Sequence, residues 1–255
     1  MLELDTCHIS ETGGRQRNED ACGYWQSGNA GCWVLSDGAG GHGSGDIASR
    51  LVVSAVLQAF GQQPEVSCAR AQALLQVANA AVIGEKISGS TRDDMHATAA
   101  ILLLDRAARR AVFAHVGDSR LYHFRQARIL TRTRDHSLVQ QMVDAGYGDE
   151  QLLRSHPQRH LLTAAIGAAG ALRISVLPQP VVLPGDAFLL CSDGWWECLD
   201  GAEMEAALQR RAAGQRWLDD MADTIRRRAP AGHDNYSALC VSCDDSTVLV
   251  GPAGA

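Results

Sequence analysis

Three apolar segments of the chain each lead into an aspartate that has a glycine beside it. The segments are Trp33 to Gly38, Val112 to Ser119 and Phe188 to Gly194. Short apolar runs bounded by turn residues are typical of β-strands, so each run predicts a strand with an aspartate at its carboxyl end: Asp37, Asp118 and Asp193. If these strands lie side by side, the three carboxylates converge.

Further acids lie in two loops, the pair Glu19 and Asp20 and the single Asp234. Carboxylates held this close repel one another unless a cation neutralises them. A cluster of oxygen ligands without thiolates suits a hard divalent ion such as Mg²⁺ or Mn²⁺, so the pattern predicts a site for two such ions. The competing interpretation is that Asp-Gly is the commonest hairpin-turn signal. Repetition of Ser-Asp-Gly after two apolar strands, together with Asp118 and Asp234, favours the metal site.

A glycine-rich stretch over residues 38–45 competes as a phosphate-binding loop, because it contains the pattern GxGxxG between a predicted strand and a predicted helix. Two observations argue against a dinucleotide fold. Asp37 directly precedes the first glycine, where its charge would repel a pyrophosphate. No acid that could bind a ribose follows about 20 residues later, where residues 58–61 are Gln-Ala-Phe-Gly. A Walker A lysine is absent as well.

The hydrophobic pattern of the whole chain alternates between blocks of short strands and pairs of helices. Strands are predicted at 6–10, 21–26, 31–36, 97–105, 111–116, 121–124, 128–130, 172–177, 187–192, 236–243 and 247–250. Helices are predicted at 46–60, 69–86, 201–211 and 217–228, with a short one that Ser137 caps and that stops at Gly146. Because the strands and helices do not alternate singly, we expect an α+β fold with largely antiparallel sheets.

The chain has no Pro/Ser-rich linker, so residues 1–255 are expected to form a single domain, with a subdomain or flap over residues 136–160. With 29 acidic and 23 basic side chains, it lacks the basic footprint of a protein that binds nucleic acid or anionic membranes. Its longest apolar run, residues 97–104, is far shorter than the roughly 20 residues of a membrane span. Residues 1–5 carry acids where a secretory signal carries bases, which indicates a cytoplasmic location.

The eight cysteines could suggest disulfides, but a large chain without an export signal normally keeps its thiols reduced. Cys240 and Cys243 have the spacing of metal ligands. A tetrahedral zinc site usually needs four ligands, and no second CxxC or HxxxH partners this pair. We therefore interpret both cysteines as ordinary strand residues.

Taken in order, the motifs resemble those of the metal-dependent PPM/PP2C protein serine/threonine phosphatases in their compact bacterial form. The matching segments are Arg15 to Asp20 (RQRNED), Ser36 to Gly45 (SDGAGGHGSG), Gly117 to Arg120 (GDSR), Asp135 to Val139 (DHSLV), Cys191 to Gly194 (CSDG) and Asp234-Asn235. The resemblance spans nearly the whole chain. It implies a central β-sandwich of two largely antiparallel sheets flanked by pairs of helices, with a dinuclear Mn²⁺ or Mg²⁺ centre at one end.

The resemblance also implies which residues hold the metals. Asp37 matches the aspartate that bridges both ions, and the carbonyl of Gly38 matches a ligand of one of them. Asp193 and Asp234 match the remaining direct ligands. Two cations lower the pKa of a bridging water, so that hydroxide can attack a phosphomonoester in line while the ions neutralise its oxygens.

Other matched residues surround this centre. Asp20, with Glu19, matches an acid pair that supports it, partly through water. Asp118 matches a residue that, together with Asp193, binds a third and weaker ion in bacterial members. Arg15 matches the arginine that clamps the substrate phosphate, and its planar guanidinium suits two phosphate oxygens.

The chain departs from part of the family at one position. Some eukaryotic members have a histidine directly after the metal-binding Asp-Gly and use it as general acid, whereas this chain has Ala39. His42, three residues later, is a candidate for the role. Metal-bound water and Asp118 are the alternatives.

The resemblance thus implies an enzyme that hydrolyses phosphoserine and phosphothreonine in partner proteins and opposes a bacterial Ser/Thr kinase. Similar stand-alone members act in kinase-linked signalling, including control of secretion systems, so a link to type VI secretion is one expectation. We expect a monomer with no nucleic-acid partner and no membrane insertion. The alternative is a catalytically silent module with the same fold that binds phosphoproteins or acts as a sensor. Retention of every direct-ligand position argues against that alternative.

Overall fold

Two antiparallel β-sheets form the centre of the computed structural model, which describes residues 1–40, 44–86, 89–90, 93–210 and 213–245. In chain order the strands are β1 (Leu2–Glu11), β2 (Asp20–Ser27), β3 (Ala30–Ala39), β4 (His96–Ala97), β5 (Ala99–Asp105), β6 (Arg110–Val116), β7 (Arg120–Arg125), β8 (Arg128–Arg132), β9 (Ser175–Pro178), β10 (Ala187–Cys191) and β11 (Tyr236–Asp245). The first sheet has the order β1-β11-β10-β7-β8. The second has the order β2-β3-β5-β6-β9, and β4 pairs with the end of β3.

Helices cover the outer face of each sheet. They are α1 (Gly45–Gln62), α2 (Cys68–Glu85), α3 (Leu138–Asp144), α4 (Leu152–Ser155), α5 (Asp193–Trp196), α6 (Gly201–Arg210) and α7 (Gln215–Arg228). The pair α1 and α2 packs on the second sheet, and α5, α6 and α7 pack on the first. The predicted α+β sandwich, with helices in pairs outside two antiparallel sheets, is therefore confirmed.

The apolar strands have two buried faces, and β5 shows why they are apolar at every position. Successive side chains of a strand point to opposite faces. Ala100, Leu102 and Leu104 face the other sheet, whereas Ile101 and Leu103 lie beneath the helices. In the layer between the sheets, the Phe113 and Phe188 rings meet edge to face at 5.9 Å. Side chains of β6 and β10 thus meet in the layer between the two sheets.

Most predicted elements are present, with differences chiefly at their ends. The predicted strand 97–105 is divided at Thr98, whose hydroxyl accepts the amide N–H of Asp37 at 2.9 Å and lies 2.6 Å from Ser119 Oγ. The predicted strand 172–177 is displaced to Ser175–Pro178. The pattern does not predict α4 or α5, because a single turn shows no helical period. The predicted strand 247–250 and the predicted helix end at 211 lie outside the described residues.

Two local interpretations from the sequence are confirmed. Ser137 caps α3, since its Oγ accepts the Gln140 N–H at 3.1 Å, and the helix ends at Asp144 ahead of Gly146, whose φ is 81°. Cys240 lies on the helix-covered face of β11, whereas Cys243 faces the other sheet. Two side chains on opposite faces cannot share one metal ion.

Within the described part of the chain, none of the helices is long and apolar enough to cross a membrane.

Candidate metal centre

Asp37 and Asp20 are direct partners across β3 and β2. Like charges at such opposed positions destabilise a sheet unless something neutralises them. Asp20 is buried and its Oδ2 accepts the Ser192 hydroxyl at 2.8 Å, whereas Asp37 is partly exposed to the cavity described below. The structure thus builds two facing carboxylates into adjacent strands.

The aspartates from the three apolar segments do converge, but not along one sheet edge. Asp37 lies near the end of β3 and Asp118 follows β6, two strands of the second sheet that β5 separates. Asp193 follows β10 of the first sheet. They meet at one end of the sandwich, where strands of both sheets end. The strands therefore do not have to lie side by side for the three aspartates to line one cavity.

The two Asp-Gly pairs are not hairpin turns. Gly38 lies inside β3 opposite Ala97, and Gly194 lies in α5. A Cβ at position 38 would come within 1.9 Å of the Gly45 carbonyl oxygen, and one at position 194 within 2.2 Å of the Asn235 carbonyl oxygen. Each glycine is therefore required for close backbone packing next to its aspartate.

Asp234 and Asn235 fasten the loop that carries Arg15. Asn235 Oδ1 accepts the Glu19 N–H at 2.8 Å, and Asn235 Nδ2 donates to the carbonyls of Thr12 and Arg17 at 2.8 Å. Arg15 Nη2 lies 2.7 Å from Asp234 Oδ2. Asn235 was not assigned a role from the sequence, although it stands in a matched motif. It holds the arginine loop against the start of β11.

A cavity of about 330 Å³ opens at this end of the sandwich. Seven of the residues predicted from the sequence line it: Arg15, Glu19, Asp37, Gly38, Asp118, Asp193 and Asp234. Asp20 does not line the cavity, and the predicted His42 lies outside the described residues. Two histidines that the sequence pattern did not single out also line it, His96 and His160. His96 is not part of an apolar strand that ends in an aspartate, which is the sequence pattern that predicts Asp37, Asp118 and Asp193. Its position is revealed only by the structure, in which it is the cross-strand partner of Ala39.

Burial raises the pKa values of these carboxylates, because a negative charge is less stable away from water unless a cation neutralises it. Desolvation raises the pKa of Asp20 to about 6 and the pKa of Asp118 to about 7. The pKa values of Asp37 and Asp193 rise well above their usual range, first through burial and then through the charges of neighbouring aspartates. Burial and the nearby Asp46 and Asp234 charges also raise the pKa of Glu19. Raised pKa values of this kind are expected where a site is designed around a positive ion.

The ligand atoms fit a hard divalent cation. Asp20 Oδ1 and Asp193 Oδ1 are buried and, among the described residues, have no hydrogen-bond partner. Asp193 also forms a group with His160 and Glu197 whose ligand atoms all lie within 4.8 Å of one another. Unpartnered buried carboxylate oxygens are costly, and coordination by Mg²⁺ or Mn²⁺ would satisfy them.

Comparison with known proteins agrees with this geometry. Residues 10–235 match the family model described as protein phosphatase 2C. The serine/threonine phosphatase Stp of Listeria monocytogenes is 29% identical over 238 residues, which are 90% of this chain and 92% of that protein. The crystal structure of the catalytic domain of the phosphatase PstP with two manganese ions has a TM-score of 0.79 and 25% identity, covering 96% of this chain and 100% of that one. PppA, a key regulatory component of the type VI secretion system in Pseudomonas aeruginosa, has a TM-score of 0.75 and 30% identity, covering 94% and 97%.

Proposed function

The chain belongs to the protein phosphatase 2C family and is a metal-dependent protein serine/threonine phosphatase, and we propose that the acidic cavity is its active site. The observation that carries this proposal is the convergence of Asp37, Asp118 and Asp193 from two sheets into one cavity with Arg15. Five acids and one exposed arginine suit a phosphate ester that reacts next to cations. A purely structural role does not explain this cluster of acids, because buried like charges destabilise the folded protein.

We propose that Asp37 would be a ligand of both of two Mn²⁺ or Mg²⁺ ions, and that the Gly38 carbonyl, Asp193 and Asp234 would be their other protein ligands. The buried, unpartnered Asp193 Oδ1 supports this assignment. When bound, the ions supply hydroxide at neutral pH and neutralise phosphate oxygens during in-line attack. Asp20, the first residue of β2, and Glu19, which directly precedes it, support the centre.

A third and weaker ion is proposed between Asp118 and Asp193. Asp118 lines the same cavity, and its backbone carbonyl accepts the Trp196 Nε1–H at 3.0 Å, which fixes its position. Burial and the nearby Asp135 raise its pKa to about 7, as expected for a carboxylate that lies where a cation can bind.

A direct test of the function is hydrolysis of phosphoserine and phosphothreonine peptides. Turnover should require Mn²⁺ or Mg²⁺, stop with EDTA and return when metal is added back. Asp193→Asn should lose activity while it remains folded by circular dichroism. Folded, metal-loaded wild-type protein that hydrolyses no phosphopeptide would show that the proposed function is wrong and would favour the silent binding module.

Arg15 should act on the substrate phosphate. Its side chain is 55% exposed and contacts Asp234, and a cation bound to that carboxylate would compete with the contact and free the guanidinium. We predict that Arg15→Ala raises KM for a phosphopeptide by about 10- to 100-fold, because a charge-assisted hydrogen bond contributes about 1.5–3 kcal/mol. Steady-state kinetics measure this, with Arg17→Ala in the same loop as the matched control. A KM unchanged from wild type would remove Arg15 from the phosphate site.

His96 is a second candidate for the proton donor, beside His42. It lines the cavity and stands directly across from Ala39, the position at which part of the family has its histidine. Its Nδ1 lies 3.1 Å from the Asp94 carbonyl oxygen and 3.3 Å from Asp94 Oδ1, contacts that orient the ring. We propose that the His96 imidazole passes a proton to the departing serine or threonine oxygen.

Leaving groups of different basicity test this role. We expect His96→Gln to lower turnover of a phosphoserine peptide by about 100-fold, the lower range for general acid catalysis. It should change hydrolysis of p-nitrophenyl phosphate little, because p-nitrophenolate departs without a proton. His8→Gln on β1 is the control, and His42→Gln tests the competing residue. Equal losses on both substrates would assign His96 a structural role instead.

We further propose that residues 1–255 form one domain in the cytoplasm, act as a monomer and use residues 136–160 as a flap that selects substrates. Phosphoproteins that a bacterial Ser/Thr kinase has modified are the proposed partners. Similarity to PppA supports a connection with type VI secretion. Quantitative phosphoproteomics of cells with and without the protein would identify the substrates, and unchanged secretion-system phosphopeptides would contradict that connection.

A further inference from the structure

Cys7 and Cys240 face each other across β1 and β11. These strands form a ladder of ten residue pairs, from Leu2 with Asp245 to Glu11 with Tyr236, and the two cysteines are direct partners within it. Directly opposed residues of antiparallel strands have Cα atoms about 4.5–5.5 Å apart, a separation within the range that disulfides span. Both side chains lie on the same face of the sheet, and each affects the pKa of the other.

Both thiols lie on the helix-covered face of the first sheet, but they differ in access. Cys240 is fully buried in that core, whereas Cys7 packs against the core and is partly exposed. Among the strand pairings of the described residues, no other cysteine stands opposite a cysteine. The pair is therefore a specific feature of the β1–β11 ladder.

The contact between the thiols makes them chemically unequal. The hydrogen bond from Cys240 lowers the pKa of the Cys7 thiol, and the same contact, with burial, raises the pKa of the Cys240 thiol. The thiolate is the form of cysteine that reacts with oxidants. Cys7 is the cysteine of the pair that an oxidant can reach from solvent, and the Cys240 thiol lies next to it on the same face of the sheet.

We propose that Cys7 and Cys240 are a modification site at which a peroxide forms a disulfide between β1 and β11. The Cys7 thiolate attacks one peroxide oxygen, the O–O bond breaks, and hydroxide leaves and takes up a proton as water. The resulting Cys7 sulfenic acid is attacked by the Cys240 sulfur, the S–O bond breaks and a second water leaves. In total two thiols lose two electrons and two protons, and hydrogen peroxide is reduced to two water molecules.

The cross-link should stabilise the protein without blocking the cavity. It joins positions at the two ends of the chain and so restricts the unfolded state strongly. It lies in the middle of the ladder, away from the loop that holds Arg15. We expect oxidation to raise Tm by about 5–10 °C and to leave metal-dependent turnover within about twofold of the reduced enzyme, since the bond adds no group to the cavity.

The test uses the reduced full-length protein, treated with hydrogen peroxide and digested without reductant. Mass spectrometry should find one peptide pair joined through Cys7 and Cys240, lighter by two hydrogen atoms and separated by dithiothreitol. In Cys240→Ser, dimedone should trap a sulfenic acid on Cys7. Cys68→Ser, which removes an exposed cysteine on α2, should leave the cross-link unchanged.

Absence of the linked peptides while Cys68 is oxidised would overturn the proposal. So would a cross-link that forms only between molecules, or an oxidised protein with the Tm of the reduced one. These readouts do not depend on phosphatase activity, so the proposal and the proposed function can fail separately.

Discussion

Asp37→Asn should abolish tight Mn²⁺ binding and lower phosphopeptide turnover by about 1000-fold or more, since even residues that only support a metal ligand contribute about 10- to 100-fold. Burial raises the pKa of Asp37 first, and the charges of Asp20, Asp193, Asp118 and Asp234 raise it further. A neutral amide at position 37 removes a charge that interacts with all four of these acids. The size and shape of the side chain stay almost the same, so the loss would report charge and coordination.

Isothermal titration calorimetry with Mn²⁺ checks this result, and Asp118→Asn is the matched comparison. Both variants replace one cavity carboxylate with an amide. Asp118→Asn should keep the two tight sites, lose only the weak third site and retain part of the activity. If Asp37→Asn binds Mn²⁺ as the wild type does, or if the two variants behave alike, the proposed division of ligands is wrong.

The aspartates could be predicted from the sequence because their signal is local. An apolar run followed by Asp needs only a few adjacent residues to be visible, and Asp37, Asp118 and Asp193 all line the cavity. Which sheet each strand joins is set by contacts distant in sequence. The pairing of β1 with β11 illustrates this, as it joins Leu2 to Asp245. The spacing of residues along the chain does not reveal such pairing, so the sequence alone did not show that the three aspartates come from two different sheets.

The glycines and histidines show a second limit of sequence patterns. Gly38 has the same neighbours in sequence whether it forms a turn or packs against Gly45, and only the tertiary contact decides between the two. His96 enters the cavity because β4 pairs with the end of β3, and a two-residue strand is too short to show a period. Asn235 acts through backbone atoms of a loop more than two hundred residues away in sequence. Residues that act through long-range contacts are found only in the folded chain.

The cluster of facing carboxylates also links metal binding to stability. In the metal-free protein the pKa of Asp20 is about 6 and that of Asp118 about 7, both raised chiefly by burial from the ordinary aspartate value of 3.8. The folded state then holds protons that the unfolded state has released. Stability from these groups is fully present below pH 3.8 and falls as pH rises through 6 and 7. One pKa unit corresponds to about 1.4 kcal/mol, so the loss is about 3 kcal/mol for Asp20 and about 4 kcal/mol for Asp118.

A buried histidine pair acts in the opposite direction over part of this range. Burial and the adjacent His115 lower the pKa of His136 to about 3, and burial lowers the pKa of His115 as well. Their contribution to stability is present above pH 6.5, the ordinary pKa of histidine, and is lost as pH falls toward 3. The rings stack at 4.5 Å, and His136 Nε2 lies 2.9 Å from Ser175 Oγ, outside the carboxylate cluster. The pH dependence of stability in the metal-free protein is therefore the sum of two opposite effects, one from the aspartates and one from the histidine pair.

The difference between Tm with Mn²⁺ and Tm with EDTA isolates the carboxylates, because the histidine pair contributes equally to both. We expect this difference to be small near pH 5, where protons already neutralise the aspartates, and to exceed about 10 °C near pH 7.5, since 1 kcal/mol shifts Tm by about 2–4 °C at this size. Asp118→Asn removes one of the buried charges, so its EDTA form should be more stable at pH 7.5 than the wild type and should gain less from Mn²⁺. Differential scanning calorimetry across the pH range measures both quantities. A stabilisation by Mn²⁺ that does not change with pH would mean that the metal binds elsewhere, because ions that bind at these carboxylates must displace their protons.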